Sequence, residues 1–246
     1  FPDAVMVAGE TGTWPNVTGP VDEGGLGFHY KWDSGWKNDT LTYMMTDSLY
    51  RQYKHSLMTH ATNHHHTEKF VLPLSHDDGA HVKGSLINKM PGEYEEKFAN
   101  LRTYLGFMMT HPGKKLLFMG QEFAQLQEWS EARELDWFLL ENPDHARIQK
   151  WMKTLLHLYR ENPAMYELDS SWDGFEWINA NDGERSIFSF TRKSKDGKNN
   201  LLFVFNFTPV DRLDYVVGVP ENKTYQLILD SESPEFGGTA ERKQRR

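Results

Sequence analysis

His76 and Asp77 directly follow a short apolar run, at residues 71–74, and are the side chains of this sequence best placed for chemistry. The run has the composition of a buried strand. Polar groups at the end of a buried strand are costly unless they are paired or used, and in α/β barrels catalytic groups stand where strands end. The structural alternative is a turn in which Asp77 caps the next segment. This pair of residues leaves both interpretations open.

Composition excludes several classes of function. The 246 residues carry a net charge of −8 and include no cysteine, which excludes disulfides and thiolate chemistry. A basic face for nucleic acid is lacking, because the basic cluster from Arg242 to Arg246 is confined to the tail. No apolar run reaches the roughly 18 residues of a membrane span, and no leader peptide opens the chain. We therefore expect a cytoplasmic protein that binds neither nucleic acid nor membrane.

Apolar periodicity predicts strands alternating with helices in the first two thirds of the chain. The predicted strands are residues 4–8, 71–74 and 116–119; the predicted helices are residues 91–110 and 144–161, with partly helical structure at 39–66. A long Gly- and Trp-rich loop, residues 9–37, separates the first strand from the rest, and loops of this length are usually functional. Alternation of this kind indicates a parallel α/β arrangement.

The pattern changes near Pro163. Short apolar and aromatic runs separated by turn-like segments predict strands at residues 175–178, 186–190, 201–205, 215–217 and 225–229. These strands predict an all-β sandwich domain. We expect two domains, residues 1–162 and residues 163–246.

Several ordered sequence blocks resemble the C-terminal half of bacterial 1,4-alpha-glucan (glycogen) branching enzymes, in the α-amylase superfamily. The blocks are Val71-Leu-Pro-Leu-Ser-His-Asp-Asp78, Lys89-Met-Pro-Gly92, Phe98-Ala-Asn-Leu-Arg102, Pro112-Gly-Lys-Lys-Leu-Leu-Phe-Met-Gly120 and Leu135-Asp-Trp137, with residues 24–36 and 122–125 adding to them. The resemblance implies the C-terminal half of a (β/α)8 TIM barrel followed by an all-β domain. Residues 4–8, 71–74 and 116–119 would be barrel strands five, seven and eight, with strand six near Leu57 and Met58.

The activity that this resemblance implies is retaining glucosyl transfer without a cofactor. Segments of α-1,4-glucan, from substrates such as glycogen or amylose, would be moved to a sugar 6-hydroxyl to make α-1,6 branches. In the family an aspartate nucleophile follows barrel strand four, and no residue of this chain matches it. The chain would therefore need the N-terminal half of the barrel as a partner.

The resemblance assigns roles to three positions, and a glycine occupies one of them. Asp77 matches the aspartate that stabilises the transition state, and His76 matches its hydroxyl-binding neighbour. Gly9 stands where the family has its catalytic glutamate, and glycine has no proton to transfer. Glu10 is the remaining candidate acid/base. Glu10 stands one residue further along the strand, so its side chain would point to the other face of the sheet. A bulge at Gly9 would remove this difference.

Further departures from the family pattern follow Asp77. Asp78 replaces a glutamate, Gly79 and Ala80 replace larger apolar residues, and Val82 replaces a glycine that would permit an unusual backbone angle. Two alternatives therefore stay open: a catalytically impaired glucan-binding protein of the same fold, and an α-glucan hydrolase. The sequence His64-His-His66 predicts no metal site, because adjacent residues on a helix point in different directions.

Overall fold

A four-stranded parallel sheet forms the first part of the fold in the computed structural model, which describes residues 3–9, 12–80 and 82–240. Its strands are β1 (Val7–Ala8), β2 (Tyr30–Trp32), β3 (Phe70–Leu74) and β4 (Lys114–Leu117), in the order β1-β2-β3-β4. Every neighbouring pair is parallel. The predicted parallel α/β arrangement is confirmed for this part of the chain, and all four carboxyl ends therefore lie at one edge of the sheet.

Three α-helices accompany the sheet, and local signals fix where each begins. They are α1 (Ser34–Met44), α2 (Tyr94–Thr110) and α3 (Pro143–Glu161). Asp33 caps α1 by accepting from the Trp36 amide, and Asn142 caps α3 with proline at its first position. Glu93 and Glu96 form a reciprocal capping box at the start of α2. The two predicted long helices are thereby confirmed with boundaries shifted by a few residues.

The predicted position of barrel strand six is wrong. Leu57 and Met58 end a 3-10 helix, Arg51–Met58, and the strand that lies between β1 and β3 is β2, Tyr30–Trp32. This strand falls inside the region that composition assigned to a loop. Its three residues have Lys31 at their centre, so no apolar run marks them. Pairing with both neighbouring strands, rather than intrinsic propensity, determines the strand here.

The second part of the chain forms an antiparallel sheet of three strands, β5 (Phe175–Asp182), β6 (Ile187–Arg192) and β7 (Leu201–Asn206). The predicted strands at residues 215–217 and 225–229 are absent, and the described residues form no second antiparallel sheet that would complete the predicted sandwich. Leu213, Val216 and Leu227 are instead largely exposed. Strand propensity depends on packing against a neighbouring strand, and these side chains have no such burial.

One continuous apolar core joins the helices to the antiparallel sheet. It includes Trp36 from α1, Tyr104 and Phe107 from α2, and Phe188 and Phe190 from β6, all of which are fully buried. Phe107 packs edge-on against Phe190 with 6.2 Å between ring centroids. The antiparallel sheet therefore supports the same helices that back the parallel sheet.

Buried guanidinium groups strengthen this junction. Arg51 donates to the Phe207 carbonyl at 2.8 Å and to the Met44 carbonyl at 2.9 Å. Arg192 donates to the Thr110 carbonyl at 2.8 Å and pairs with Asp169 at 2.6 Å. Buried charges need such hydrogen bonds to be tolerated, so each arginine ties the two parts of the fold at a defined position.

Burial disfavours the protonated form of three histidines at the same junction. His55 stacks on Phe188 with 4.0 Å between ring centroids, and its Nε2 contacts the Ala180 carbonyl oxygen at 2.8 Å. Burial lowers the pKa of His55, His65 and His111 below the ordinary value of 6.5. The unfolded chain therefore binds protons more readily at these positions, and stability falls as the pH decreases below about 6.5.

We predict that the denaturation midpoint falls between pH 7 and pH 5, and that His55→Gln reduces this fall. Glutamine retains an amide that can reach the Ala180 carbonyl but cannot take up a proton. His64 acts with the opposite sign, because its hydrogen bond to Asp33 raises its pKa, so the difference between the two proteins isolates His55. Urea titrations at several pH values measure it. Parallel pH profiles in the two proteins would contradict the assignment.

Candidate functional site

The candidate site residues lie at the carboxyl edge of the parallel sheet, where four segments leave the strands. Gly9 follows β1, Asp33 follows β2, the sequence Ser75-His76-Asp77 follows β3, and Phe118 follows β4. Register places β3 further toward this edge than β2, because Trp32 at the end of β2 pairs with Val71. The segment after β3 therefore projects beyond its neighbour, which favours ligand contact at that point.

Ser75 creates the turn that exposes His76 and Asp77. The serine is buried, and its hydroxyl accepts from the Asp77 amide at 3.3 Å, which starts a short 3-10 helix at His76–Asp78. His76 Nε2 lies 3.4 Å from Asp77 Oδ1, and both side chains are half exposed. Ser75, rather than Asp77, is thus the capping residue. The structure brings the two predicted site residues together and leaves both open to solvent.

The neighbouring aspartate has a different environment. Asp78 is buried, and its Oδ1 lies 3.3 Å from the ammonium of Lys37 on α1. The two adjacent carboxylates therefore have different roles. Asp78 ties the turn to α1 through Lys37, whereas Asp77 faces solvent. A buried ion pair of this kind is destabilising to break, because one charge is then left without a partner.

The loops after β3 and β4 are tied together by backbone and carboxylate hydrogen bonds. Glu128 accepts from the Val82 amide at 2.9 Å and also from the Gly84 amide. The Trp129 amide donates to the Gly79 carbonyl at 2.9 Å. These contacts hold the altered segment that follows Asp77 in a defined conformation.

Val82 in this segment has a left-handed backbone conformation, with φ of +69°, and its side chain is almost fully exposed. Such an angle suits glycine and is strained for a β-branched residue. This agrees with the expectation from the family resemblance, in which glycine occupies the position. The substitution therefore carries a conformational cost without apolar burial to offset it.

The position after β1 at which the family resemblance predicts the acid/base group is open. Gly9 is exposed, its φ is not left-handed, and a Cβ atom built there would meet nothing within 4 Å. Glu10, the predicted acid/base, lies outside the described residues together with Thr11 and His81. A Cβ atom at Gly9 therefore displaces no described neighbouring atom.

The three rings of the histidine run contact different partners. His64 Nε2 contacts Asp33 Oδ2 at 3.3 Å, whereas the His65 ring nitrogens contact the carbonyls of Thr62 and Ser171. His66 packs on Trp172, with 4.2 Å between ring centroids. In residues 3–9, 12–80 and 82–240, no three histidine or carboxylate side chains converge as metal ligands. The three imidazoles instead serve packing and hydrogen bonding.

Gln121, which lies beyond the end of β4, was not predicted from the sequence as a site residue. This glutamine is buried in a small pocket that it lines with Gly79, Phe118 and Trp129. Neither atom of its amide has a hydrogen-bond partner among the described residues. Phe118 also contacts His76, with 5.9 Å between ring centroids, so the pocket adjoins the exposed pair. The available signal was a polar residue directly after Gly120, at a strand end.

Comparison with known proteins agrees with this fold. Residues 177–246 match the C-terminal all-beta domain of alpha amylase. A solved alpha-amylase from Halothermothrix orenii superimposes with a TM-score of 0.53 at 14% identity, covering 83% of this chain and 44% of that one. The architecture is therefore of the alpha-amylase class.

At the sequence level the chain is similar to the 1,4-alpha-glucan branching enzymes. It is 50% identical over 242 residues to the enzyme of Halothermothrix orenii and 51% identical over 239 residues to that of Aquifex aeolicus. These alignments cover 98% and 97% of this chain but 38% of each relative. The matched region is a C-terminal part of the relatives. The resemblance read from the motifs is thus confirmed. No described helix is long and apolar enough to cross a membrane.

We predict that Val82→Gly raises the free energy of unfolding by about 1 kcal/mol. The substitution removes the strain of a left-handed valine, about 1–3 kcal/mol. Part of this gain is offset because glycine increases the conformational entropy of the unfolded chain. Val82→Ala is the matched control; it keeps the Cβ atom and should recover less than half of the gain. Denaturant midpoints measure both. A lower midpoint for Val82→Gly would show that the valine side chain is stabilising.

Proposed function

We propose that this chain supplies the C-terminal half of the catalytic barrel, and the all-β domain that follows it, in a 1,4-alpha-glucan branching enzyme. The observation that carries the proposal is the half-exposed Asp77, beside His76, at the carboxyl edge of a parallel sheet. Barrel enzymes place catalytic groups at this edge. The boundary between the two domains is proposed at residues 162 and 163, where α3 has just ended.

The sheet edges support a barrel that continues beyond this chain. Val5, Met6 and Val7 at β1 are exposed apolar residues, although strands of a parallel sheet are normally covered on both faces. Such an edge also invites pairing with another strand. We propose that strands one to four, from the part of the relatives that this chain does not span, pair with β1 and β4 and supply the nucleophile.

Asp77 and His76 would act on sugar hydroxyls rather than on the scissile bond itself. The Asp77 carboxylate is an acceptor for hydroxyl donors, and hydrogen bonds of this type to an ionised group strengthen as positive charge develops on the sugar ring. The His76 imidazole lies within reach of the same hydroxyls and of Asp77. A glucan chain bound here would be transferred to a 6-hydroxyl with retention of configuration.

The acid/base group is the part of the proposed site that departs from the family pattern. A retaining mechanism needs the nucleophile and a protonated carboxyl group about 5–5.5 Å apart, and Gly9 cannot provide one. We propose Glu10 as the substitute. The second candidate function is a glucan-binding protein without turnover, which the glycine at position 9 and the strained Val82 both favour. An α-glucan hydrolase would differ from both by releasing reducing sugar.

If Glu10 does not act as the acid/base, as in the second candidate function, Gly9→Glu in a full-length protein that contains this chain should raise branching of amylose by at least about 100-fold, the usual contribution of a positioned acid/base group. A Cβ atom at Gly9 meets nothing within 4 Å. Gly9→Gln is the matched control, because it fills the same space and cannot transfer a proton. Debranching of the product followed by chain-length analysis measures new α-1,6 linkages.

The same assay separates the alternatives. Activity of the unmodified protein that is lost in Glu10→Gln would show that Glu10 is the acid/base. Binding of glycogen without new linkages, followed by recovery in Gly9→Glu, would identify the impaired form. Failure of every variant to form α-1,6 linkages would contradict the proposed branching activity.

A further inference from the structure

Two buried ionised side chains hold the loop that follows β1. Lys31 lies at the centre of β2 and is 6% exposed; its ammonium donates to the carbonyls of Gly12 at 3.2 Å and Trp14 at 3.1 Å. This lysine therefore reaches from one strand across to the loop of its neighbour. Burial of an ammonium group is costly unless hydrogen bonds compensate it, and these two carbonyls provide compensation.

Glu68 holds the same loop a few residues further on. It lies just before β3, is 6% exposed, and accepts from the amides of Val17 at 2.7 Å and Thr18 at 2.8 Å. The Thr18 hydroxyl donates to it at 2.5 Å and itself accepts from the Lys69 amide at 3.0 Å. Hydrogen bonds to an ionised carboxylate are about twice as strong as neutral ones. Residues 12–18 are thus held by a cation at one end and an anion at the other.

Lys31 also fixes the chain before the loop. Its backbone is the register partner of Ala8 at the end of β1, while its side chain holds Gly12 and Trp14. Lys31 therefore holds the chain on both sides of Gly9, at Ala8 directly before it and at Gly12 further along. Removing the ammonium would release Gly12 and Trp14 and leave the backbone pairing with Ala8 intact.

We propose that Lys31 and Glu68 are positioning residues for the acid/base group of the loop after β1, which they hold at Ala8 and at residues 12–18. The inference rests on the proposed function, which assigns proton transfer to this loop. Proton transfer needs the donor within hydrogen-bond reach of the glycosidic oxygen, and a displacement of about 1 Å can reduce the rate by about 100-fold. Lys31 holds Gly12 and Trp14 from β2, and Glu68 holds Val17 and Thr18 against the start of β3.

The test compares Lys31→Met, Lys31→Arg and Glu68→Gln in this chain by amide hydrogen exchange of a peptide covering residues 9–18. We expect Lys31→Met and Glu68→Gln to speed exchange of this peptide at least about 10-fold, and Lys31→Arg to stay near the unmodified rate because arginine retains donors. Lys115→Met is the matched control. Lys115 also donates to two backbone carbonyls, those of His111 and Gly113, but on β4.

Lys115→Met should lower the melting temperature without changing exchange of the 9–18 peptide. Equal exchange of that peptide in Lys31→Met and in the unmodified chain would overturn the proposal. So would acceleration that Lys115→Met reproduces, because it would show a general loss of stability.

A second arm measures branching in the Gly9→Glu full-length protein. Lys31→Met should lower kcat by about 100-fold with little change in KM, and Lys31→Arg should restore most of it. An unchanged kcat alongside faster exchange would overturn the positioning role. Absence of branching in Gly9→Glu itself would instead contradict the proposed function, while the exchange data would still decide whether the two charges hold the loop.

Discussion

Parallel alignment of β1 to β4 is the constraint on which the rest of the structure depends. Because each strand runs in the same direction, Gly9, Asp33, His76 and Phe118 all leave the sheet at one edge. The return connections must then cross the other face as helices or long loops, and α2 provides one of them between β3 and β4. Reversal of a single strand would move its terminal residues to the opposite edge and dismantle the candidate site.

Charged side chains that are buried or partly buried hold the loops at that edge. Lys37 pairs with Asp78, Glu128 gathers two amides of the segment at residues 82–84, and Lys31 and Glu68 hold the loop after β1. Apolar packing is not directional, whereas each of these contacts fixes a position. The loops therefore combine exposed reactive groups with a rigid base. This division is most evident in the adjacent Asp77 and Asp78, one half exposed and the other buried.

Most of the fold was predictable where the sequence alone carries the structural signal. The strand at β3 and the long helices α2 and α3 follow from apolar periodicity and capping residues, and the exposed pair at His76 and Asp77 follows from a polar step after a buried run. The strand β2 did not follow, because its central residue is a lysine whose burial depends on carbonyls far away in sequence.

Other features depended on tertiary context in the same way. Residues 215–217 and 225–229 have strand composition but lack a neighbouring strand to pack against, so composition alone predicted too much. Gln121 and Glu68 acquire their roles only when distant segments are brought together. In contrast, the left-handed angle at Val82 could be expected from the family pattern, because that angle is a local property of the backbone.

The most direct test of the account compares Asp77→Asn with Asp78→Asn for glucan affinity and stability. We expect Asp77→Asn to weaken binding of a maltooligosaccharide by at least about 10-fold, the loss of about one charge-assisted hydrogen bond, with an unchanged denaturation midpoint. Asp78→Asn should lower the midpoint, because Lys37 then loses its buried partner. Unchanged glucan affinity in Asp77→Asn, measured by calorimetry on the full-length protein, would contradict the assignment of the carboxyl edge as the glucan site.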